Sequence, residues 1–382
     1  MTSALVERII SQGYRLASHS WEYGTFAEAL LEWYDPYYSV FGNNPFPDGK
    51  IPVANVSDVR ALTYVKPHIS INSSALVDGN GSAGDPASLG VAAILIGQTQ
   101  PAYLAAAGRQ VEHLLTTVPR WSNGAISHRE DVAELWADSI YMAPPTLAYY
   151  GVATSNITLL SESIAQCNAY RDVLSVPAGS SSSSAAAGGL WHHIIGPQSQ
   201  DLGIWSTGNA WAAAGMARVL ATAKKSPFAH ELAPAIAELG ANIKVLLDGA
   251  MAVDAREPAE PLLRNYLNDT AWFGELSGTT LLTAVAYRML SLEPGTFAVE
   301  RYGKWADEKR EAVTARIGDD GLLAPVVNPL DWYDTTPGTQ SPEAQAFAVL
   351  MFAAHRSFCQ GALARCQSLI DGSDGSSDGT RS

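Results

Sequence analysis

Asp138 has the clearest potential for chemistry in this sequence, because it is a single carboxylate set among large apolar side chains in a helical pattern. A carboxylate that is removed from water without a partner is unstable, and its pKa rises towards neutrality. Such a group can donate and accept a proton at ordinary pH. We therefore predict that Asp138 transfers protons. The alternative is a mid-helix aspartate that a neighbouring Arg or Tyr satisfies.

A second carboxylate, Asp85, directly precedes Pro86 at the start of another predicted helix. Aspartate at the N-cap with proline at the first helical position is a common helix start, so a structural role is one interpretation. The other is that Asp85 faces Asp138 across a cleft and positions water or substrate. Both interpretations hold only if the side chain turns away from the cap.

Two segments, 189–193 and 205–211, combine histidine with tryptophan around a helix start. Aromatic faces accompanied by a few polar groups suit the stacking of sugar rings. The predicted substrate-binding residues are Tyr141, Trp191, His192, His193, Trp205, Thr207, Asn209 and Trp211. The alternative places the tryptophans in the core and the histidines on the surface. We predict no metal site, because adjacent histidines point apart and the sequence has neither His-Glu-x-x-His nor a Cys/His cluster.

Motif context and charge argue against several other classes of function. Residues 79–84 match G-x-G-x-x-G, but the next helix leads into another helix rather than a parallel strand, so we expect no dinucleotide cofactor. The absence of Gly-x-Ser-x-Gly leaves serine hydrolase chemistry without support. A net charge of −14 argues against a nucleic-acid partner. Without an apolar run of bilayer length, no membrane span is predicted.

The elements that position these residues are helical almost throughout. Six predicted helices are apolar on nearly every face, which indicates burial on every side. They cover 24–34, 86–97, 133–150, 207–223, 274–291 and 341–355. Because amphipathic, charged helices alternate with them, the sequence predicts an all-α fold, an (α/α)6 barrel. Residues 1–370 form its single domain, and the Gly/Ser/Asp-rich tail at 371–382 is predicted to be disordered.

Long Gly-rich and aromatic loops precede the inner helices, and they lie at 66–85, 119–132, 175–206, 252–273 and 318–340. In such a barrel these loops gather at one end and form a cleft, where we expect the function to reside. The run Ser180–Ser184 is predicted to be an insertion that reshapes the loop above the cleft. Pro144 and Pro145 are predicted to interrupt the helix that carries Asp138.

Five Asn-x-Ser/Thr acceptors indicate a secreted protein, and they lie at Asn55, Asn72, Asn80, Asn156 and Asn268. The first residues lack the basic start and apolar stretch of a signal peptide, so we expect a leader outside this sequence. A cytoplasmic location is the alternative. Three cysteines are too few for a disulfide framework. We expect a monomer or homodimer that acts on an oligosaccharide, without nucleic-acid or membrane partners.

Together these segments resemble the unsaturated glucuronyl and galacturonyl hydrolases of glycoside hydrolase families 105 and 88, the six-hairpin glycosidases. The resemblance covers most of the chain and rests on residues 136–145, 189–193, 205–211 and 341–347. It implies that Asp138 is the general acid/base and that Asp85 is the second essential aspartate, with Asp78 as an alternative. It also implies that His192 or His193 contacts the substrate, and it requires no metal or other cofactor.

The implied reaction is hydration of the 4,5-double bond that polysaccharide lyases leave in a terminal uronate. Asp138 would protonate C4 and activate the water that attacks C5, after which the hemiketal opens and releases the neighbouring sugar. Many members carry an arginine where this chain has Thr207, so the grip on the substrate differs here. Arg120 and Arg129 are candidates for attracting an anionic substrate. Two alternatives stay open, a conventional inverting glycosidase on saturated chains and a carbohydrate-binding barrel without catalysis.

Overall fold

The computed structural model describes residues 3–177 and 188–373, with side chains up to residue 363. The predicted insertion at Ser180–Ser184 lies outside the described residues, as does 374–382 of the predicted tail. The last described helix continues through Ser373, into the segment predicted as a tail.

The described part of the chain is helical, with short 3-10 turns and a two-stranded sheet of minimal length. The helices are α1 (Ser3–Leu16), α2 (Ser20–Tyr34), α3 (Arg60–Val65), α4 (Gly90–Gly97), α5 (Pro101–Thr116), α6 (Ser139–Ala153), α7 (Ile157–Leu174), α8 (Ser206–Lys225), α9 (Ala233–Asp254), α10 (Leu276–Leu292), α11 (Lys304–Thr314) and α12 (Pro342–Ser373). Strands β1 (Leu135–Trp136) and β2 (Ile194–Ile195) pair antiparallel. A 3-10 helix at Asp85–Leu89 runs directly into α4.

Six of these helices form a closed inner ring, in the order α2, α4 with its 3-10 start, α6, α8, α10 and α12. Each contacts the next, and α12 contacts α2 to close the ring. The outer helices α3, α5, α7, α9 and α11 each pack against the inner helix that precedes them, whereas α1 packs against α12. The two ends of the chain therefore build one hairpin together. The predicted (α/α)6 barrel is confirmed.

Small residues on the inner helices allow them to pack closely. Gly215 of α8 lies against α6, where a Cβ atom would meet the carbonyl oxygen of Ile140 at 2.0 Å. Helix α8 is buried continuously from Ser206 to Ala223. Helices that are apolar on every face are thus buried on every face, as the sequence predicts.

The start of α6 differs from the prediction. The helical pattern suggests a start at 133, but the helix begins at Ser139 because β1 occupies the preceding residues and pairs with β2. Asp138 is therefore the residue before the helix rather than a mid-helix residue. This shift turns its side chain towards the end of the barrel.

Pro144 and Pro145 do not interrupt α6, which continues to Ala153, so that prediction is wrong. Proline at these positions leaves the carbonyl groups four residues earlier without a helical N–H partner. The first of them belongs to Ile140, against which Gly215 packs. Close packing of the buried helix holds it together across the missing hydrogen bonds.

The short outer helix α3 is absent from the sequence prediction, because six residues are too few to show a period. Across residues 3–177 and 188–373, the helices fall short of the length and apolar character that crossing a bilayer requires.

Candidate active site

A cavity of about 270 Å³ opens at the mouth of the ring, where the N-terminal ends of the inner helices meet. Carboxyl groups, histidines and tryptophans dominate its lining. Residues of the predicted cleft loops 66–85, 119–132, 175–206 and 318–340 all contribute to it. Four of the five predicted cleft loops therefore meet at this end of the barrel, whereas 252–273, which the structure describes throughout, contributes no residue to the cavity lining.

Asp138 projects into this cavity from the residue before α6. Its side chain is 15 % exposed and does not cap the helix. Among the described residues, Oδ2 has no hydrogen-bond partner, and it lies 3.5 Å from Nε2 of His193. The alternative of an aspartate satisfied by Arg or Tyr therefore does not hold, and the carboxylate is available to a ligand.

The β1–β2 pair brings Asp138 and His193 together. The pairing continues one residue past β1, where the backbone N–H of Ala137 donates to the carbonyl of His193 at 2.9 Å. Successive residues of an extended strand point to opposite sides. His193 consequently faces the cavity, whereas the side chain of His192 turns away and its Nδ1 lies 2.6 Å from the carbonyl oxygen of Leu202.

A buried hydrogen-bond chain holds His193 from behind. Its Nδ1 lies 2.9 Å from Oδ2 of Asp201, which also accepts a hydrogen bond of 2.5 Å from the Tyr266 hydroxyl. Burial lowers the pKa of His193, but hydrogen bonds and charges from Asp138 and Asp201 outweigh burial, so the pKa is raised overall. A protonated imidazole donates from both nitrogens, so Nε2 can serve Asp138 or a ligand.

Asp85 lines the same cavity, with a side chain that is 16 % exposed. It is the first residue of the 3-10 helix, and Gly84 occupies the cap position, so the capping interpretation is wrong. Burial raises the pKa of Asp85 to about 7, although the hydrogen bond with Ser82 and the charge of Arg129 lower it, and the charge of Asp138 raises it. At neutral pH this carboxyl group is therefore partly protonated.

Asp78, the alternative second carboxylate, is exposed and does not line the cavity. Its Oδ1 accepts a hydrogen bond from the backbone N–H of Asn80 at 2.9 Å, which is a local turn contact. Geometry therefore favours Asp85.

His128 adds a second histidine beside the carboxyl groups. Its Nδ1 lies 2.7 Å from the Ser139 hydroxyl, and its Nε2 lies 3.9 Å from Oδ1 of Asp85. Burial lowers the pKa of His128 to about 4, so this ring is neutral at pH 7. Gly84 allows the close approach, because a Cβ atom there would meet Nδ1 at 2.8 Å.

Glu343, in the first turn of α12, is the third carboxyl group of the cavity. It is 3 % exposed, and its Oε1 accepts a hydrogen bond of 2.8 Å from Nε1 of Trp21. In the sequence, Glu343 stands out only as part of the segment 341–347, and Trp21 and His128 carry no signal of a functional role. Their contribution becomes visible only in the folded chain.

Four tryptophans line the cavity, and three of them, Trp136, Trp205 and Trp332, lie together around His193. The rings of Trp136 and Trp332 meet edge to face at 5.5 Å, and the ring of Trp205 lies 4.4 Å from that of His193. Nε1 of Trp332 is buried and has no partner among the described residues, so it can donate to a ligand. Of the three, only Trp205 is among the predicted contacts.

Arg129 is the one arginine or lysine among the described residues that line the cavity. Its Nε is buried and has no hydrogen-bond partner in the described part of the chain. Arg120, the other candidate for attracting an anion, is exposed and forms an ion pair with Glu162 at 3.4 Å. Only one of the two candidate arginines therefore lies at the site.

The structure places most predicted substrate contacts outside the cavity. Besides His192, these are Tyr141, Trp191, Thr207, Asn209 and Trp211. They are buried in the ring, where apolar packing and backbone hydrogen bonds use them. Their predicted role as substrate contacts is corrected accordingly.

Each of these side chains has a structural partner. The Asn209 amide accepts from the backbone N–H of Trp191 and donates to its carbonyl, at 2.8 and 2.9 Å. The rings of Tyr141 and Trp211 pack together at 4.6 Å. The hydroxyl of Thr207 donates to Glu275, 3.2 Å away. These contacts satisfy the core interpretation of the tryptophans at 191 and 211.

The cavity holds carboxyl groups, three histidines, an arginine and tryptophan faces, a set suited to proton transfer on a sugar. Within the residues that the structure describes, no cluster of His, Cys, Asp and Glu has a metal-binding arrangement.

Residues 78–247 match the sequence profile of Glycosyl Hydrolase Family 88. A possible member of family GH105 from Salmonella enterica serovar Paratyphi A has the same fold, with a TM-score of 0.69 and 16 % identity over 92 % of each chain. An unsaturated glucuronyl hydrolase specific for heparin superimposes with a TM-score of 0.61 at 10 % identity, over 94 % of this chain and 96 % of the other. No curated protein matches the sequence significantly.

The GH76A α-1,6-mannanase from Salegentibacter also shares the fold, with a TM-score of 0.61 and 12 % identity over 93 % of this chain and 99 % of the mannanase. The profile match contains Asp85, Asp138 and His193, and with the structural matches it confirms the resemblance to families 88 and 105. At these identities the structural likeness shows the fold alone, and the fold serves more than one kind of glycan.

Proposed function

We propose that this chain, a glycoside hydrolase related to families 88 and 105, removes a terminal 4,5-unsaturated uronic acid from oligosaccharides that polysaccharide lyases produce. The observation that carries the proposal is the position of Asp138. Its carboxylate faces a cavity that Asp85 and His193 also line, and its Oδ2 has no partner in the described structure. A carboxylate in this setting is suited to hand over a proton and to accept another.

The proposed reaction adds one water molecule across the C4–C5 double bond. Asp138 donates its proton to C4 and takes a proton from the water whose oxygen bonds to C5, so the carboxyl group is regenerated. The hemiketal formed at C5 then opens to a ketone. The hemiacetal left at C1 collapses to an aldehyde, and the neighbouring sugar leaves as an alcohol.

Asp85 and His193 support this cycle from two sides. The pKa of Asp85 is raised to about 7 by burial, with a further contribution from the charge of Asp138, so a proton is available beside Asp138 at neutral pH. His193, whose pKa is also raised by Asp138 and Asp201 against the effect of burial, offers a positive charge to the carboxylate once the proton has left. General acid and base steps both benefit from such neighbours.

Recognition of an anionic sugar is assigned to Arg129 and the tryptophan walls. Arg129 carries the positive charge of the described cavity lining and lacks an internal partner for its Nε. Thr207 is fully buried and bonded to Glu275, so it does not contribute to this grip. A guanidinium group matches a carboxylate in geometry and charge.

The direct test incubates the protein with lyase-generated disaccharides that end in unsaturated glucuronate or galacturonate, and follows the loss of enol-ether ultraviolet absorbance. We expect loss on at least one linkage. The matched saturated disaccharides serve as control substrates. Hydrolysis of the saturated compounds alone would favour an inverting glycosidase, and an unchanged absorbance on every unsaturated linkage would refute the proposal.

We also propose that the protein is secreted, since the asparagines of all five Asn-x-Ser/Thr motifs are exposed. Asn80 stands apart, because it lines the cavity mouth, where a glycan would obstruct substrate. Mass spectrometry of protein produced through a eukaryotic secretory pathway tests this. We expect glycans at several of the sites but not at Asn80, and a complete lack of glycans would count against it.

A further inference from the structure

Glu343 is the most deeply buried carboxyl group of the cavity and has no role in the reaction cycle proposed above. Glu343 is buried, with 3 % of the residue exposed, whereas Asp138 and Asp85 are only partly buried. It reaches the cavity from the first turn of α12, whereas the two aspartates lie at the starts of other inner-helix segments. Glu343 thus lines the same cavity as Asp138 and His193.

The two oxygens of Glu343 have different surroundings. Oε1 accepts a hydrogen bond of 2.8 Å from Nε1 of Trp21, and the indole N–H can only donate. Oε1 is therefore fixed as an acceptor. Oε2 is buried, lies on a residue that lines the cavity, and has no hydrogen-bond partner among the described residues. If the group is protonated, the proton sits on Oε2.

The neighbours of Glu343 favour the protonated form. Burial raises its pKa well above the usual value; the hydrogen bond from Trp21 lowers it, and the charges of Glu22, Asp138 and Glu275 raise it again. Glu22 lies on α2 and Glu275 directly before α10, so both inner helices that contact α12 present an acidic side chain, and Asp138 adds a third from the residue before α6. The basic side chains of the same cavity lining are His19, whose ring stacks on Trp21 at 4.6 Å, and His128, Arg129 and His193.

We propose that Glu343 binds the substrate as an uncharged hydrogen-bond donor, through Oε2–H to an acceptor oxygen of the uronyl group, and takes no part in proton transfer. This inference rests on the proposed function for the identity of the ligand. It explains how a cavity with three carboxyl groups accepts an anionic sugar, because the group at 343 adds no negative charge. Glu343 thus contributes to substrate specificity, and it must be neutral for an anionic substrate to bind.

Glutamine is the matched variant for this proposal. Glu343→Gln keeps an oxygen for Trp21, keeps an N–H donor in the place of Oε2–H, and cannot ionise. Glu343→Met has a similar length and no donor. We expect Glu343→Gln to keep KM and kcat within about threefold of the parent. Glu343→Met should raise KM by about tenfold or more, the usual effect of losing a hydrogen bond to a charged partner, with kcat changed much less.

The pH dependence separates the variants further. In the parent, KM should rise when the pH passes the pKa of Glu343, because an ionised carboxylate repels the uronate and no longer donates. Glu343→Gln should lack this rise. Glu343→Gln with activity as low as Asp138→Asn would show an ionising role and overturn the proposal, as would Glu343→Met with unchanged KM. Thermal melting of each variant identifies unfolded protein.

A measurement without substrate keeps the inference testable if the proposed function fails. Infrared difference spectra of the parent against Glu343→Gln, taken between about pH 5 and about pH 9, report the carbonyl band of a protonated carboxyl group. We expect that band to persist at neutral pH. Its absence there would refute a neutral Glu343 whatever the substrate is, whereas inactivity on every unsaturated uronide would refute only the proposed function.

Discussion

Two groups of ionisable side chains inside this barrel differ in how they are paired. The mouth cluster consists of Asp85, Asp138 and Glu343, which line the cavity at the N-terminal ends of the inner helices. The central cluster consists of Glu28 and Glu32 on α2, Arg218 on α8 and Arg288 on α10. In the central cluster two carboxylates meet two guanidinium groups, with Arg218 and Arg288 at 2.5 and 2.6 Å from Glu32 and Arg218 also paired with Glu28.

The comparison separates charges that hold the fold from charges kept for chemistry. Opposite charges that neutralise each other inside a protein are costly to break, because removal of one partner leaves a buried ion. Like charges held together without partners destabilise the fold and shift each other's pKa. Such an arrangement is typical of functional sites. The mouth cluster has these features, since among the basic side chains in the described part of the chain Asp85 and Asp138 approach only histidines, whereas Glu28 and Glu32 pair with arginines.

The sharpest test of the comparison is Asp138→Asn, which leaves the shape of the mouth cluster and removes its proton-transfer group. We expect turnover to fall by about 10³-fold, or about 4 kcal/mol of transition-state stabilisation. The free energy of unfolding should stay the same or rise. Absorbance assays and denaturant titrations measure the two effects. Retained turnover would contradict the role of Asp138.

Arg218→Met tests the central cluster. Glu28 would be left buried without a cation and Glu32 would keep only Arg288, so we expect a loss of about 3–4 kcal/mol in the free energy of unfolding. Lys224→Met on the same helix is the matched control, because Lys224 and Glu293 form a more exposed pair at 2.5 Å that should contribute at most about 1 kcal/mol. Urea titration measures both variants. Equal effects would show that the central cluster has no special role.

Asp85→Asn tests the destabilising side of the mouth cluster. Burial in the folded state raises the pKa of Asp85 from 3.8 to about 7. The proton bound to Asp85 therefore stabilises the folded state fully below the unfolded pKa, and this stabilisation is lost as the pH rises to about 7. The variant should therefore gain about 2 kcal/mol over the parent at pH 8 and little at pH 4. Asp78→Asn, at an exposed site, should gain nothing at either pH. Thermal melts between about pH 4 and about pH 8 measure the stability of each variant. A gain in stability for Asp85→Asn that is equal at both pH values would contradict a raised pKa of Asp85.

Arg129→Gln probes the weakest contribution, attraction of the anionic substrate. We expect KM to rise about tenfold with a small change in kcat, corresponding to about 1.4 kcal/mol. The rise should shrink as salt screens the charge. Arg120→Gln, outside the cavity, should leave KM unchanged. Steady-state kinetics at two ionic strengths distinguish the two variants. Equal KM values for both would contradict a role of Arg129 in substrate binding.

Local sequence determined the ring of helices because its cause is local. Apolar residues on every face of a segment at helical period require burial on every side, and the alternation of such segments with charged helices is visible along the chain. The long loops before the inner helices predicted the end at which the cavity lies. Asp138 was found in the same way, as a lone carboxylate in apolar surroundings.

The contents of the cavity depended on tertiary structure. Residues as distant in sequence as Trp21 and Glu343 meet there, and only strand pairing decides that His193 rather than His192 faces Asp138. Trp191 and Trp211 share the aromatic character of Trp205 but pack in the core, since the side of an element that faces the cavity is set by its neighbours.

The sequence by itself determined the barrel, the functional end and one essential candidate, because periodicity and composition act over a few turns of chain. Only the folded structure decided which carboxyl groups hold protons and which cations stay unpaired. Burial and the sum of charges from separate helices set those properties, and neither is a property of any single segment.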